Sequence, residues 1–238
     1  MEQANIVGVL GGLGPLATEL FFSLVLRETE AHCDQDYPDL VIVNRSSTPD
    51  RTASLLSGGK NSPGPFMAED ARRLEKAGCC AIVIPCNTSH AWYGEVAGAV
   101  QIPVIHLIRE VVLDAKRRGM SCLGILATEG TRMSRLYDEA AQEADIRCVY
   151  PGAAGQKTVS HIIYDEMKAG LPANESELTG VFDELLRQGC DGLVLGCTEL
   201  PIAYHELQLE SRYPQALDSL RILARKTVQL AGKKLKEE

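Results

Sequence analysis

Residues 77–88 read AGCCAIVIPCNT, and residues 188–198 read QGCDGLVLGCT. Placed in register from Gly78 and Gly189 through Cys86 and Cys197, the two stretches are offset by 111 positions. Each passes from a glycine through an apolar run to a cysteine, with a threonine, Thr88 or Thr198, just beyond it. A run of Val, Ile and Leu without polar alternation suits a strand of a parallel sheet covered on both faces. A second pair recurs at nearly the same interval: VGVLGGLGP (7–15) and LGILATEGT (123–131), offset by 116, each a strand, a small-residue turn and a helix start. Two recurrences at similar spacing predict that one α/β unit occurs twice in the chain.

Working outward, short apolar runs at 6–10, 40–43, 81–85, 103–105, 122–126, 147–150 and 192–196 are the expected strands. Amphipathic stretches between them predict helices over about 15–30, 69–77, 106–118, 131–144, 156–168, 175–188 and 218–231, with Pro15 opening one and Gly78 and Gly119 closing two others. Residues 46–65, SSTPDRTASLLSGGKNSPGP, hold too much Gly, Pro and Ser for a long helix and read as an extended loop of functional length. The expected fold is therefore α/β: two similar parallel-sheet domains, residues 1–105 plus 209–238 forming the first and 106–208 the second; if they face one another across a pseudo-twofold axis, the strand ends of both approach a shared cleft.

A chain of 238 residues is long enough for a full core, and its formal charge of -8 is spread along it. The one basic cluster, Lys233, Lys234 and Lys236, adjoins Glu237 and Glu238, which argues against a nucleic-acid surface. Eight cysteines in a chain this long, with no CxxC or Cys/His pair at zinc spacing, predict reduced thiols and no metal. The apolar run at 6–10 follows Glu2 and ends in glycines, so it fits neither a signal peptide nor a membrane span, and the expected location is the cytoplasm.

In open parallel sheets, ligands bind beyond the carboxyl ends of the strands, which is where Cys86 and Cys197 are expected. Two thiols facing one ligand suit inversion at a stereocentre, where one group takes the proton from one face of Cα and the other delivers a proton to the opposite face. Cysteine fits this task because a helix N-terminus or a nearby cation lowers its pKa from roughly 8.5 toward neutrality. Backbone N–H groups at the helix starts after each cysteine, with the hydroxyls of Thr88, Ser89 and Thr198, are placed to bind an α-carboxylate as charge accumulates on it. No Schiff-base lysine with phosphate-binding glycines is evident, so no cofactor is expected.

Taken together, GVLGGLGPLAT (8–18), TPDRT (48–52), IPCNTSH (84–90), LATEGT (126–131), YDEMKAG (164–170) and LGCTELP (195–201) resemble the aspartate/glutamate racemase family of pyridoxal-independent, two-cysteine enzymes, over nearly the whole chain and in the same order. The resemblance implies two similar α/β domains, an active site between them, a small acidic amino acid as substrate and a homodimer. It implies Cys86 and Cys197 as the acid/base pair, and Asn87, Thr88 and Thr198 as groups holding the amino-acid backbone. Arg51 and Lys168 match the cations that receive the side-chain carboxylate, a need that a bidentate guanidinium meets well. Thr52, Ser89, Thr131 and Glu199, from the same motifs, complete the expected substrate-binding set. Leu13 stands where GGMGP is common in the family, and Glu199 separates the chain from the cell-wall glutamate racemases, whose second motif reads GCTHYP.

Other readings attach to single motifs. Residues 12–17 match the looser GxGxxA dinucleotide turn, which with Arg45 on a 2′-phosphate would make an NADP-dependent reductase; against it, no acid ends the second strand and Pro15 removes an N–H. A non-catalytic binding protein for acidic amino acids fits two lobes and a cationic pocket but gives no reason for paired cysteines. Cys79, Cys80, Cys122 and Cys190 read as small buried hydrophobes at strand starts, and His90 as a hydrogen-bonded structural residue.

Overall fold

A computed structural model describes residues 5–237; residues 1–4 and 238, counted with the expected first domain, lie outside the described residues. The chain forms two compact units, one running to Leu107 and resuming at Leu220, the other spanning Ile108–Ser219. The first unit holds strands β1 (Val7–Gly11), β2 (Leu40–Asn44) and β3 (Ala81–Val83) in the order β2-β1-β3, all parallel. The second holds β4 (Cys122–Leu126), β5 (Arg147–Val149), β6 (Gly192–Leu195) and β7 (Ala216–Asp218) in the order β5-β4-β6-β7, again parallel. In both sheets the chain starts in the middle, adds an edge strand, and then crosses to the other side.

The register shows that the two units repeat one plan. Val7 pairs with Ala81 and Gly8 with Ile82, while Leu123 pairs with Gly192 and Gly124 with Leu193. These partners differ by the offsets of 116 and 111 read from the sequence. The run at 103–105 is reduced to a single parallel bridge, Ile82 to Val104, and its counterpart is β7, whose Ala216 pairs with Leu193. Strand β7 was not anticipated: Ala-Leu-Asp is too short to announce itself, and it forms because Leu193 N–H and its neighbours need acceptors on that side of β6.

Strands β1, β3, β4 and β6 are buried along their whole length, as unbroken apolar runs require. Strand β2 departs from the expectation of two covered faces: Ile42 and Asn44 are exposed and the rest is half-buried, because β2 is an edge strand. Leu10, Met67, Leu74, Ile82 and Ile84 centre the first core, and Leu126, Ile162, Phe182, Leu193 and Leu195 the second.

Most expected helices form: Pro15–Glu28, Gly64–Lys76, Leu107–Arg117, Glu175–Arg187 and Ser219–Leu230. The stretch 131–144 is instead two helices, Glu129–Met133 and Leu136–Glu143, broken at Arg135, whose φ of 54° is left-handed. The stretch 156–168 starts earlier, as helix Ala153–His161, and then changes pitch into a π-turn over Ile162–Glu166 and a 3-10 turn over Met167–Ala169. The loop 46–65 contains helix Arg51–Leu56, which composition concealed; Asp50 caps it by accepting a hydrogen bond from Ala53 N–H at 2.7 Å.

The C-terminal helix is joined to the first unit by charge. Glu28, buried at the end of helix Pro15–Glu28, receives Arg221 Nε at 2.6 Å and Arg225 at 2.7 Å. The backbone adds Glu30 N–H to Lys234 O at 2.9 Å and Lys236 N–H to Glu28 O at 2.8 Å. Cysteine 80 corrects its expectation, being exposed, whereas Cys79, Cys122 and Cys190 are buried as expected, and all eight cysteines are free.

Candidate active site

In the first unit β3 ends at Val83, and Cys86 N–H donates to Ile84 O at 2.8 Å, closing a three-residue turn around Pro85. Proline's fixed φ suits the centre of such an inverse γ-turn. The turn delivers Cys86 to the carboxyl edge of the sheet, directly ahead of the 3-10 turn Thr88–Trp92. Cys86, Asn87, Thr88, Ser89 and His90 are all buried, and the Ser89 hydroxyl has no hydrogen-bond partner among the described residues.

His90 fixes this turn. Its Nε2 accepts from the Leu107 N–H at 3.0 Å, so the ring proton is on Nδ1, which donates to the Cys86 carbonyl at 2.9 Å. Burial holds the imidazole below its ordinary pKa, and the ring is neutral. It is a structural residue tying the cysteine turn to the helix that begins at Leu107.

Arg51 and Thr52 open helix Arg51–Leu56, which packs against the Thr88–Trp92 turn. The Arg51 guanidinium is engaged by backbone: Nη2 donates to Leu13 O at 2.8 Å, and Nη1 to Pro49 O at 3.1 Å and Thr48 O at 3.4 Å. It thereby fastens the Gly12–Gly14 turn to the TPDRT loop.

In the second unit, Gly196 N–H donates to Leu126 O at 2.8 Å, carrying β6 one residue further before Cys197. Thr198 then occupies the N-cap position of helix Glu199–Glu206, without a side-chain capping hydrogen bond. The Cys197 thiol donates to Glu199 Oε2 at 2.9 Å and the Thr198 hydroxyl donates to the same oxygen at 3.0 Å. Lys168, delivered by the change of pitch after His161, reaches Glu199 Oε1 at 2.8 Å. Its ammonium also stands 5.9 Å from the centre of the Tyr164 ring, a cation–π contact. Thr131 is fully buried; its N–H donates to the Thr128 hydroxyl at 3.2 Å, the cap of helix Glu129–Met133. The sequence reading missed Thr128, although a threonine ahead of Glu-Gly-Thr is a helix-start signal.

The electrostatics correct one expectation. The Cys197 thiol lies well above its ordinary pKa: burial is the main cause, and the charge and hydrogen bond of Glu199 add to it, outweighing Lys168. The helix start does not produce a thiolate here. Glu199 moves the other way: burial alone would raise it, but Lys168 and the hydrogen bonds from Cys197 and Thr198 hold its carboxyl below the usual range. The resting arrangement is thus thiol, carboxylate and ammonium in a row.

The remaining thiols have quieter surroundings. Cys122 and Cys190 touch at 3.7 Å between sulfurs at the amino ends of β4 and β6, where burial pushes Cys190 up to about 12. Arg45, the residue a nucleotide phosphate would need, donates to Glu69 at 2.8 Å and to Asp70 at 3.3 Å. Its backbone also packs against Gly12, so the turn at 12–14 is closed by protein. Among the described residues no cluster of His, Cys, Asp and Glu is arranged to hold a metal, and no helix is long and apolar enough to cross a membrane.

Behind the Cys197 helix, His205 joins two carboxylates: Nδ1 to Glu210 at 2.6 Å and Nε2 to Asp218, at the end of β7, at 3.2 Å. The hydrogen bond that His205 donates to Asp218 is the first cause raising its pKa, ahead of the opposing burial and of Glu210. A histidine whose folded pKa is raised contributes stability in full below its unfolded pKa of about 6.5, and loses it as pH rises through the folded value. Thermal unfolding measured across that window will show the midpoint falling with rising pH, and His205→Gln will flatten the slope; an unchanged slope in the variant would remove the assignment.

Comparison with known proteins gives the family. The description Asp/Glu/Hydantoin racemase matches residues 10–227. The chain is 25% identical over 227 residues to the broad specificity amino-acid racemase RacX of Bacillus subtilis (strain 168), covering 94% of this chain and 96% of that protein. It is 29% identical over 172 residues to a glutamate racemase of Corynebacterium glutamicum, covering 65% of this chain and 59% of that one. Among solved structures, Picrophilus torridus aspartate racemase superposes with a TM-score of 0.83 at 28% identity, covering 98% of this chain and 96% of that chain.

Proposed function

The chain belongs to the Asp/Glu/Hydantoin racemase family and is an amino-acid racemase, and from that premise we propose that it interconverts L- and D-aspartate or glutamate by two-base proton exchange at Cα through Cys86 and Cys197. The observation that carries this reading is the equivalence of the two thiols: each follows the third strand of its own unit, in matching register, at a carboxyl edge. One sulfur removes the α-proton as thiolate, the other delivers a proton as thiol, and the roles reverse for the opposite enantiomer. Cys197 enters as the thiol because burial and Glu199 keep its proton on.

Removal of the α-proton puts negative charge onto the α-carboxylate. The buried hydroxyls of Thr88 and Ser89, with Asn87 and the N–H groups at the helix starts, are the donors that meet it, and Thr198 joins them when its hydroxyl turns from Glu199 to the substrate. Thr131 and Thr52 complete the lining, and Arg51 and Lys168 select an acidic side chain. The scheme uses no cofactor.

A broader substrate range is the second reading. It is favoured by the match to a broad specificity racemase along nearly the whole chain, and by the Arg51 guanidinium being engaged with three backbone carbonyls. Incubation of each enantiomer of aspartate, glutamate, alanine and lysine in deuterated water, followed by mass and circular-dichroism readout, tests both. Deuterium at Cα with loss of optical activity is expected for the acidic pair. Uptake by alanine and lysine at comparable rates would favour the broader range, and no uptake by any amino acid would end the proposal.

A further inference from the structure

Glu199 accepts three hydrogen bonds through its two oxygens: Oε1 takes the Lys168 ammonium at 2.8 Å, and Oε2 takes the Cys197 thiol at 2.9 Å and the Thr198 hydroxyl at 3.0 Å. The carboxylate is almost covered, whereas the Lys168 side chain is 37% exposed, so its ammonium is the member of the row that an arriving anion can reach. A lysine is a point charge on a flexible stem, suited to changing partners. Yet a thiol that burial and Glu199 keep protonated cannot by itself act as a base. Two-base chemistry requires Cys197 to work as thiolate in one direction, so something must change when substrate binds.

We propose that the substrate's side-chain carboxylate replaces Glu199 as the partner of Lys168, and that Glu199, left without its cation, takes the proton from Cys197. The inference rests on the racemase reading above and deepens it: Glu199 becomes a positioning residue for Cys197, and Lys168 links recognition of the acidic side chain to activation of the thiol. The step balances. The Cys197 S–H bond breaks, an O–H bond forms on Glu199 Oε2, and the electron pair stays on sulfur. A covered carboxylate that loses its counter-charge favours its neutral form, and the neutral acid donates a hydrogen bond back to the thiolate. The thiolate then takes the α-proton while Cys86 supplies one to the other face. On product release Lys168 returns to Glu199, whose proton goes to water, and Cys86 regains one from water. In the opposite direction the same states are crossed backward: Cys86 starts as the thiolate, Cys197 as the acid, and Lys168 is again on the substrate carboxylate with Glu199 protonated.

The test reads thiolate by its ultraviolet absorption in the full-length protein at neutral pH, with succinate as probe. Succinate has two carboxylates and no stereocentre, so it engages Lys168 without turnover; glycine, which lacks a side-chain carboxylate, is the control. The expected result is a rise in thiolate with succinate and none with glycine, absent in Cys197→Ala and retained in Cys86→Ala. Glu199→Gln keeps the hydrogen-bond acceptor but not the proton acceptor. It should lose the rise and lower turnover about 10²-fold, the low end of what a positioned base contributes. Lys168→Met removes the cation that draws the Cys197 thiol downward, so it should show no thiolate rise with succinate. No rise in the wild type, with deuterium exchange into aspartate intact, overturns the exchange of partners and leaves the racemase standing. A rise in a protein that exchanges no isotope supports it and overturns only the reading of what the site turns over.

Discussion

Replacing either Cys86 or Cys197 by alanine will lower racemisation in both directions by about 10²- to 10⁴-fold, the range expected for loss of a positioned acid or base. The more telling result is what survives. If each thiol serves one face of Cα, Cys197→Ala retains deuterium exchange without inversion for the enantiomer whose α-proton meets Cys86. Cys86→Ala retains it for the other enantiomer. The pair of variants therefore has mirror-image exchange patterns, which loss of folding cannot mimic. The environment of Cys197 adds an asymmetry. Its thiol is held by burial and by Glu199, so exchange dependent on Cys197 as base should be lost in Glu199→Gln, which cannot take the thiol proton, while exchange dependent on Cys86 is retained. Racemisation kept near the wild-type rate in either variant, or exchange of both enantiomers by one cysteine alone, would contradict the two-base scheme.

The repeat was legible because strand interiors carry their own signature. Offsets of 111 and 116 became hydrogen-bonded register, since residues that pair across buried parallel strands must be apolar and small at matching points. Elements set by tertiary partners were not legible. Strand β7 exists because β6 offers it a ladder, and the bridge at Val104 fails to become a strand although its sequence is the more apolar of the two. At the site, residue types and positions could be read but not their couplings. Lys168 and Glu199 lie 31 residues apart, and nothing local in YDEMKAG or LGCTELP announces that they form an ion pair. The π-turn over Ile162–Glu166 that brings Lys168 there is likewise a product of packing, since Ile162 and Ile163 are fully buried in the second core. The helix start after Cys197 suggested a lowered thiol pKa. Burial and a neighbouring carboxylate, both invisible to spacing, outweigh it.

The largest expected loss of stability comes from one methyl group at Gly12. The residue has φ of 76°, and a Cβ there would overlap the backbone nitrogen and carbonyl carbon of Arg45. Backbone, unlike the end of a flexible side chain, has nowhere to yield. Gly12→Ala should therefore lose about 1–2 kcal/mol for the left-handed conformation and about 1–3 kcal/mol for the overpacking. Gly78→Ala isolates the first contribution, because Gly78 also has a left-handed φ, 86°, but nothing lies within 4 Å of its would-be Cβ. Denaturant unfolding of the two variants should show Gly12→Ala as the more destabilised by the overpacking alone; equal losses would mean that the close approach to Arg45 carries no strain. The consequence reaches the site through hydrogen bonds. Gly12 N–H donates to the Thr18 hydroxyl at 2.9 Å, and the next carbonyl, that of Leu13, accepts from Arg51 at 2.8 Å. A turn pushed away from Arg45 carries the Leu13 carbonyl with it and releases or redirects the guanidinium. KM for an acidic substrate should then change more than kcat, because the group displaced is the one proposed to bind the side chain and does not touch the proton in flight.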